Sequence, residues 1–292
     1  MATLALLLLT CFALPASAQD DGDTPSGDSP EEESPSSGGL GDIGGILDEI
    51  DLGGSSGVDS ADLISYSGGS DQTAPDYAPG KPVAITHAGG PITVYCQDRP
   101  GISARVRYEL RGTDRAALER MGNAVGMRTW GSATGGGVTT RIPAASSAVK
   151  ERTIDLVVNL PRQALVTVTG SVGKVEVIGC EGTVTVTAGD GAFVSGTLSR
   201  LSVTTSRGDI KVELSPASRL TGANKATAAR GNVWMEIPSD YQGKMFLKGA
   251  EVSAWHTVAG TNGPSLIQGN VGSPGTTSLT VTAGQVAEIK VP

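Results

Sequence analysis

Two hydrophobic patterns divide this chain: an almost unbroken apolar run from Leu4 to Leu14, and an alternation of apolar and polar residues that sets in after Tyr77. The first run ends at Pro15 and is followed by Ala16-Ser17-Ala18, Gln19 and the acidic pair Asp20-Asp21. It falls short of the roughly 20 apolar residues a spanning helix needs, and small-x-small before Gln19 is the pattern that signal peptidase reads. Residues 1–18 are therefore expected to be a signal peptide. The mature chain is expected to be exported to the periplasm, the cell surface or the extracellular space. No later segment is apolar enough for a transmembrane helix.

The second pattern has a period of two. Ala164-Leu165-Val166-Thr167-Val168 and Thr183-Val184-Thr185-Val186-Thr187 read as strands with valine inward and threonine outward. Helical periodicity is nearly confined to Thr113–Met121, where Thr113 is the expected cap and Gly122 the expected stop. The strands also repeat. Val166-x-Val168 leads to Gly173 and Val175-x-Val177, Val184-x-Val186 to Gly191 and Phe193, and Leu201-x-Val203 to Gly208, Ile210 and Val212. A degenerate copy keeps Ala226, Gly231, Val233 and Met235, and a distant earlier one keeps Val83, Ile85, Gly90, Ile92 and Val94. Each copy reads as two short strands joined by a turn, and Gly90, Gly173, Gly191, Gly208 and Gly231 are assigned to the turns for their backbone freedom. The expected fold is all-β, with glycine-punctuated strand repeats stacked as a solenoid or β-prism. A β-sandwich is the alternative.

The segments Asp155-Leu156-Val157-Val158-Asn159-Leu160-Pro161, Gly173-Lys174-Val175-Glu176-Val177 and Ser206-Arg207-Gly208-Asp209-Ile210-Lys211-Val212 carry a family resemblance. Over residues 153–214 the chain resembles the bacterial adhesin-like family of unknown function, whose members carry recurring Ser-x-Gly-Asp-Ile-x-Val units. The resemblance implies stacked β-strand repeats at the cell envelope. Its motif consists of turn and strand residues, so it specifies a fold better than an activity.

Charge changes the picture of the region between. Residues 19–76 hold fifteen acids and no Lys or Arg in a Gly, Ser and Pro background, which is expected to be a disordered leader. All 22 Lys and Arg follow from Lys81 onward beside the other fifteen acids, so the net charge of −8 sums an acidic leader and a basic domain at 77–292.

The candidate chemistry is sparse. Gly170-Ser171-Val172-Gly173-Lys174 lacks the glycine and hydroxyl positions of a phosphate loop and joins two strands. His87 and His256 have no ligand-like neighbours in sequence, and no dinucleotide fingerprint is present. Neither a catalytic residue, a metal site nor a cofactor is assigned. Asp190, Asp209 and Glu213 are the carboxylates a polysaccharide lyase or hydrolase on such a scaffold would use. Arg207-Gly208-Asp209 spells a cell-attachment tripeptide but occupies a repeat turn. Arg105, Arg107 and Arg111 fall on one face of a strand, opposite Ile102, Ala104 and Val106, a stripe suited to anionic glycans, lipid headgroups or the acidic leader itself. Nucleic acid is disfavoured by the expected compartment and by the 4% aromatic content, too low for stacking platforms. Loss of Cys11 with the signal peptide leaves Cys96 and Cys180, an even pair suited to a disulfide in an oxidising compartment. The leading expectation is an adhesion or ligand-binding module without enzymatic activity. A scaffold that self-associates through open strand edges is the second class, and the carbohydrate-active enzyme the third.

Overall fold

The computed structural model describes residues 63–273 and 275–291; the expected signal peptide and most of the acidic leader lie outside the described residues. Alternating β-branched residues favour extended backbone, and the described residues form twenty-one strands and one helix. The first part runs β1 (Ile64–Ala74), β2 (Pro82–His87), β3 (Ile92–Gln97), β4 (Ile102–Gly112), the helix α1 (Arg115–Ala124), β5 (Gly126–Ser132), β6 (Gly135–Arg141) and β7 (Val149–Pro161). The repeats follow as β8 (Leu165–Gly170), β9 (Val175–Cys180), β10 (Thr183–Ala188), β11 (Ala192–Gly196), β12 (Arg200–Thr205), β13 (Ile210–Leu214), β14 (Ala223–Ala228) and β15 (Val233–Glu236). The last part is β16 (Gly243–Lys248), β17 (Glu251–Ala254), β18 (Val258–Asn262), β19 (Leu266–Val271), β20 (Ser278–Ala283) and β21 (Val286–Lys290).

These strands build two open sheets. Ten lie in the order β1-β4-β7-β3-β9-β11-β13-β15-β21-β17, and eleven in the order β18-β19-β16-β20-β14-β12-β10-β8-β2-β6-β5. Two facing sheets correspond to the sandwich alternative, but the connections differ from those of a sandwich of hairpins. From β8 to β15 the chain changes sheet at every turn, and each strand pairs in parallel with its equivalent in the next copy. Val166 thus aligns with Val184 and Val186 with Val203, so the inward valines of successive copies stack. They are fully buried in a core shared by both sheets, where each such side chain contributes about 1.5–3 kcal/mol relative to exposure. A second, smaller cluster of Leu110, Leu118, Met121 and Val149 seats the helix.

Several sequence expectations need correction. The distant early copy is the immediate neighbour of the first regular one: Val83 and Ile85 align with Val166 and Val168, and Ile92 and Val94 with Val175 and Val177. Residues 98–161 are an insertion that supplies β4 and β7 to one sheet and β5 and β6 to the other. A further copy is formed by β20 and β21, which continue the parallel ladders of β14 and β15. Residues 64–74, placed by composition in the leader, form β1 on the edge of the ten-stranded sheet. Eleven ladder positions along β4 outweigh the low propensity of Ser-Gly-Gly-Ser. Phe193 faces outward, because Ala192 and Val194 take the inward positions that align with Val175 and Val177. The helix is capped by Asp114, not Thr113: its carboxylate accepts from the Ala116 and Ala117 amides at 2.9 and 3.3 Å. Gly122 lies inside that helix, against the rings of Tyr66 and Tyr108, where a side chain has no room. Backbone freedom also explains only part of the turn glycines. Gly173, Gly191 and Gly208 have φ of 84°, 128° and 72°, whereas Gly90 and Gly231 are required because a Cβ there would meet the backbone of a neighbouring strand or turn.

Candidate ligand-binding face

The arginine stripe falls on the outer face of β4, and the structure supplies carboxylates for it. Arg105 binds Asp71 of β1 at 2.6 Å, Arg107 approaches the same carboxylate at 3.8 Å, and Arg111 pairs with Glu151 of β7 at 3.2 Å. Asp71 comes from the stretch that composition assigned to the leader. The stripe is therefore a partly neutralised surface and not an open row of cations.

The turn residues are also occupied. Asp190 accepts the Gly173 amide at 2.9 Å and pairs with Arg207 at 2.8 Å, while Asp209 accepts the backbone and side-chain amides of Asn232 at 2.8 and 3.0 Å. Asn232 in turn accepts the Val286 amide at 3.1 Å. These side chains tie successive copies together along the stack, which uses both ends of the Arg207-Gly208-Asp209 tripeptide. Glu213 is bound to Lys211 at 2.6 Å, a contact that raises the lysine pKa. No cluster of three or more His, Cys, Asp or Glu side chains suited to a metal occurs among the described residues. His87 is buried, with Nε2 at 2.8 Å from the Ile154 carbonyl and Nδ1 at 2.7 Å from the Thr140 hydroxyl. His256 is buried with Nε2 at 3.2 Å from the Pro238 carbonyl. Cys96 and Cys180, at the ends of the neighbouring strands β3 and β9, are joined as a disulfide with their Cα atoms 4.8 Å apart.

The surface that sequence reasoning missed is the outer face of the eleven-stranded sheet. Thr139, Thr86, Thr169, Thr187, Thr204, Thr227 and Thr282 stand in register on seven adjacent strands. Arg128 continues this row at one end and Lys248 at the other. Two residues along the strands, a second row runs from Trp130 through Gly137, Ala84, Thr167, Thr185, Ser202, Lys225 and Thr280 to Phe246. At about 4.8 Å between strands, the eight spacings from β5 to β16 make each row about 38 Å long. Shallow cavities open at the two ends of the second row, of about 330 Å³ beside Trp130 and about 480 Å³ beside Phe246.

Charge separates the two outer faces. None of the eleven strands contains an Asp or Glu, and their six cations, Arg128, Arg141, Arg200, Lys225, Lys244 and Lys248, are all exposed. None of the six makes an ion pair among the described residues. The ten-stranded sheet carries nine acids, and five of its seven strand cations, Arg105, Arg107, Arg111, Lys211 and Lys290, are paired. One face neutralises itself, and the other leaves a positive potential over a hydroxyl-lined surface. The signal was present in the sequence: Thr86, Thr169, Thr187, Thr204 and Thr227 each follow the second inward residue of a copy.

No family model matches the chain, and no curated protein does. Several solved structures are similar in shape. A putative cell adhesion protein from Clostridium sporogenes is 12% identical with a TM-score of 0.45, the match covering 78% of this chain and all of that one. A putative adhesin from Parabacteroides distasonis is 10% identical with a TM-score of 0.39, over 77% of this chain and 97% of its own. A putative lipid binding protein, also from Parabacteroides distasonis, is 11% identical with a TM-score of 0.30, over 77% and 97%. At these identities and scores the functional reading rests on this chain's own geometry. No helix among the described residues is long and apolar enough to cross a membrane.

Proposed function

We propose that this protein is an exported, non-enzymatic binding module of the cell envelope that holds an anionic ligand on the outer face of its eleven-stranded sheet. The observation that carries the reading is the complete absence of acids from that sheet beside six exposed cations without carboxylate partners among the described residues. The domain at 77–292 is itself net basic, and its unpaired strand cations are concentrated on this face, whereas the opposite sheet neutralises most of its own. A short solenoid, coiled through the two sheets from β2 and β3 to β20 and β21, provides the rigid platform. The Arg105, Arg107 and Arg111 stripe is secondary in this reading, since internal carboxylates already hold it.

Retention of the full mature chain on immobilised dextran sulfate, against neutral dextran, tests the proposal. The wild-type chain should be retained on the sulfated matrix and released by salt. The triple variant Lys225→Glu, Lys244→Glu, Lys248→Glu should flow through, while Lys150→Glu, Lys211→Glu, Lys290→Glu on the opposite face should still be retained. Equal behaviour of the two triple variants, or no retention of the wild-type chain, would overturn the assignment.

A further inference from the structure

The ends of the strands limit how a ligand can lie on this face. Thr183–Ala188 of β10 is bracketed by Glu181 and Asp190, both exposed, and β12 runs toward Asp209. An anionic chain running along a strand would leave the face over these carboxylates, which Arg162 and Arg207 offset only in part. Across the strands there is no such barrier, because the threonine row ends in Arg128 on one side and Lys248 on the other. The acid-free track therefore runs parallel to the stacking direction.

The groups along that track also narrow the ligand chemistry. Within the two rows cations are sparse: Arg128 on β5 and Lys225 on β14 lie six strand spacings or about 29 Å apart, and Arg141, Arg200 and Lys244 each stand two residues beyond a row. A lipid headgroup layer or a polyphosphate is matched by clustered Lys and Arg, and a nucleic acid by a stacking ring for successive bases. The interval within the rows is filled chiefly by hydroxyls, and the exposed ones, Thr169 and Thr187 among them, can both donate and accept a hydrogen bond, as sugar hydroxyls do, whereas the Thr227 hydroxyl is buried. Trp130, 40% exposed, with its ring against Gly137 and the Arg128 guanidinium 5.8 Å from the ring centre, and the half-buried Phe246 stand at opposite ends of the second row, aromatic surfaces of the kind a sugar ring packs on. Cross-strand threonine pairs stabilise a sheet whether or not anything binds it. That role does not call for acid-free strands or for cations and aromatic rings at the two ends.

We infer that the ligand is a linear acidic polysaccharide, rich in hydroxyls with widely spaced carboxylates, lying across the strands along the threonine row. The inference rests on the anionic-ligand reading above and adds the polymer class, its direction and a defined length.

Calorimetric titration of the full mature chain with hyaluronan oligosaccharides of increasing length tests it, because that polymer carries one carboxylate on every second sugar. Affinity should climb with length and level off once the chain spans the interval from Arg128 to Lys248, with the plateau at least about tenfold tighter than a disaccharide. The paired changes Arg128→Ala with Trp130→Ala, and Phe246→Ala with Lys248→Ala, should each move the plateau to shorter chains while leaving the melting temperature in place. Thr185→Val with Thr187→Val should weaken long chains and leave the plateau length unchanged. Length-independent binding, or tighter binding to polyphosphate or to vesicles containing anionic phospholipid, would overturn the polysaccharide assignment with the anionic face intact. Failure of every hyaluronan length while dextran sulfate is still retained would do the same. Failure of all anionic probes would overturn the underlying reading as well.

Discussion

Single residues in this protein are constrained chiefly by the copies above and below them. Gly208 combines a φ of 72° with a position where a Cβ would meet the Asp190 backbone. Replacing it with valine should cost about 1–3 kcal/mol, read as a lowered urea midpoint, because strain and collision act together. Arg207→Ala removes an exposed ion pair with Asp190, and at most about 1 kcal/mol is expected. His87 sets a different dependence. Burial lowers its pKa below the ordinary 6.5, since the neutral ring fits between Ile154 and Thr140. Its contribution is fully present above pH 6.5, the unfolded value, and is lost as pH falls toward the depressed folded value. Urea midpoints should therefore decline below pH 6.5, and His87→Gln should flatten that decline. A variant retaining the full slope would assign the effect to other groups.

At the scale of elements, the alternating strands and their copies were legible because one face of each is buried. Val166, Val184 and Leu201 announce their orientation by spacing alone. What spacing cannot encode is the partner. The match between β2 and β8 spans an insertion, and β1 is held by pairing with β4 in spite of a composition that reads as linker. The outer face was harder to read for a related reason: an outward threonine is an ordinary strand residue, so its recurrence after the second inward residue of each copy gains meaning only when register sets seven threonines in one row. Two consequences can be measured. A chain beginning at Tyr77 should melt below one beginning at Leu63, since it strips the edge strand from β4. Thiol counting on denatured exported protein should find Cys96 and Cys180 unreactive until a reductant is added.

For the whole molecule, the two outer faces divide the labour between self-neutralised charge and open positive potential. Such a division matters for a chain with fifteen acids and no Lys or Arg between residues 19 and 76, because that stretch carries charge of the same sign as the proposed ligand. Affinity for an anionic polymer should fall steeply with added salt, in proportion to the cations engaged. Processing is checked independently: intact-mass measurement of the exported protein should give a chain starting at Gln19, and retention of Met1 would contradict the export assignment.

The insertion between β3 and β8 also sets an order of events in time. Copies from β8 to β15 contact neighbours fewer than two dozen residues away, whereas β2 and β3 must reach across more than seventy. Near-neighbour contacts close small loops and form early; distant ones wait on the entropy of a long loop. The regular copies should thus assemble first and serve as the template on which the amino-terminal copy docks. Pulse-labelling during refolding of the reduced chain should show Cys180 shielded before Cys96, so that oxidation seals the nearly finished molecule and does not guide its early collapse.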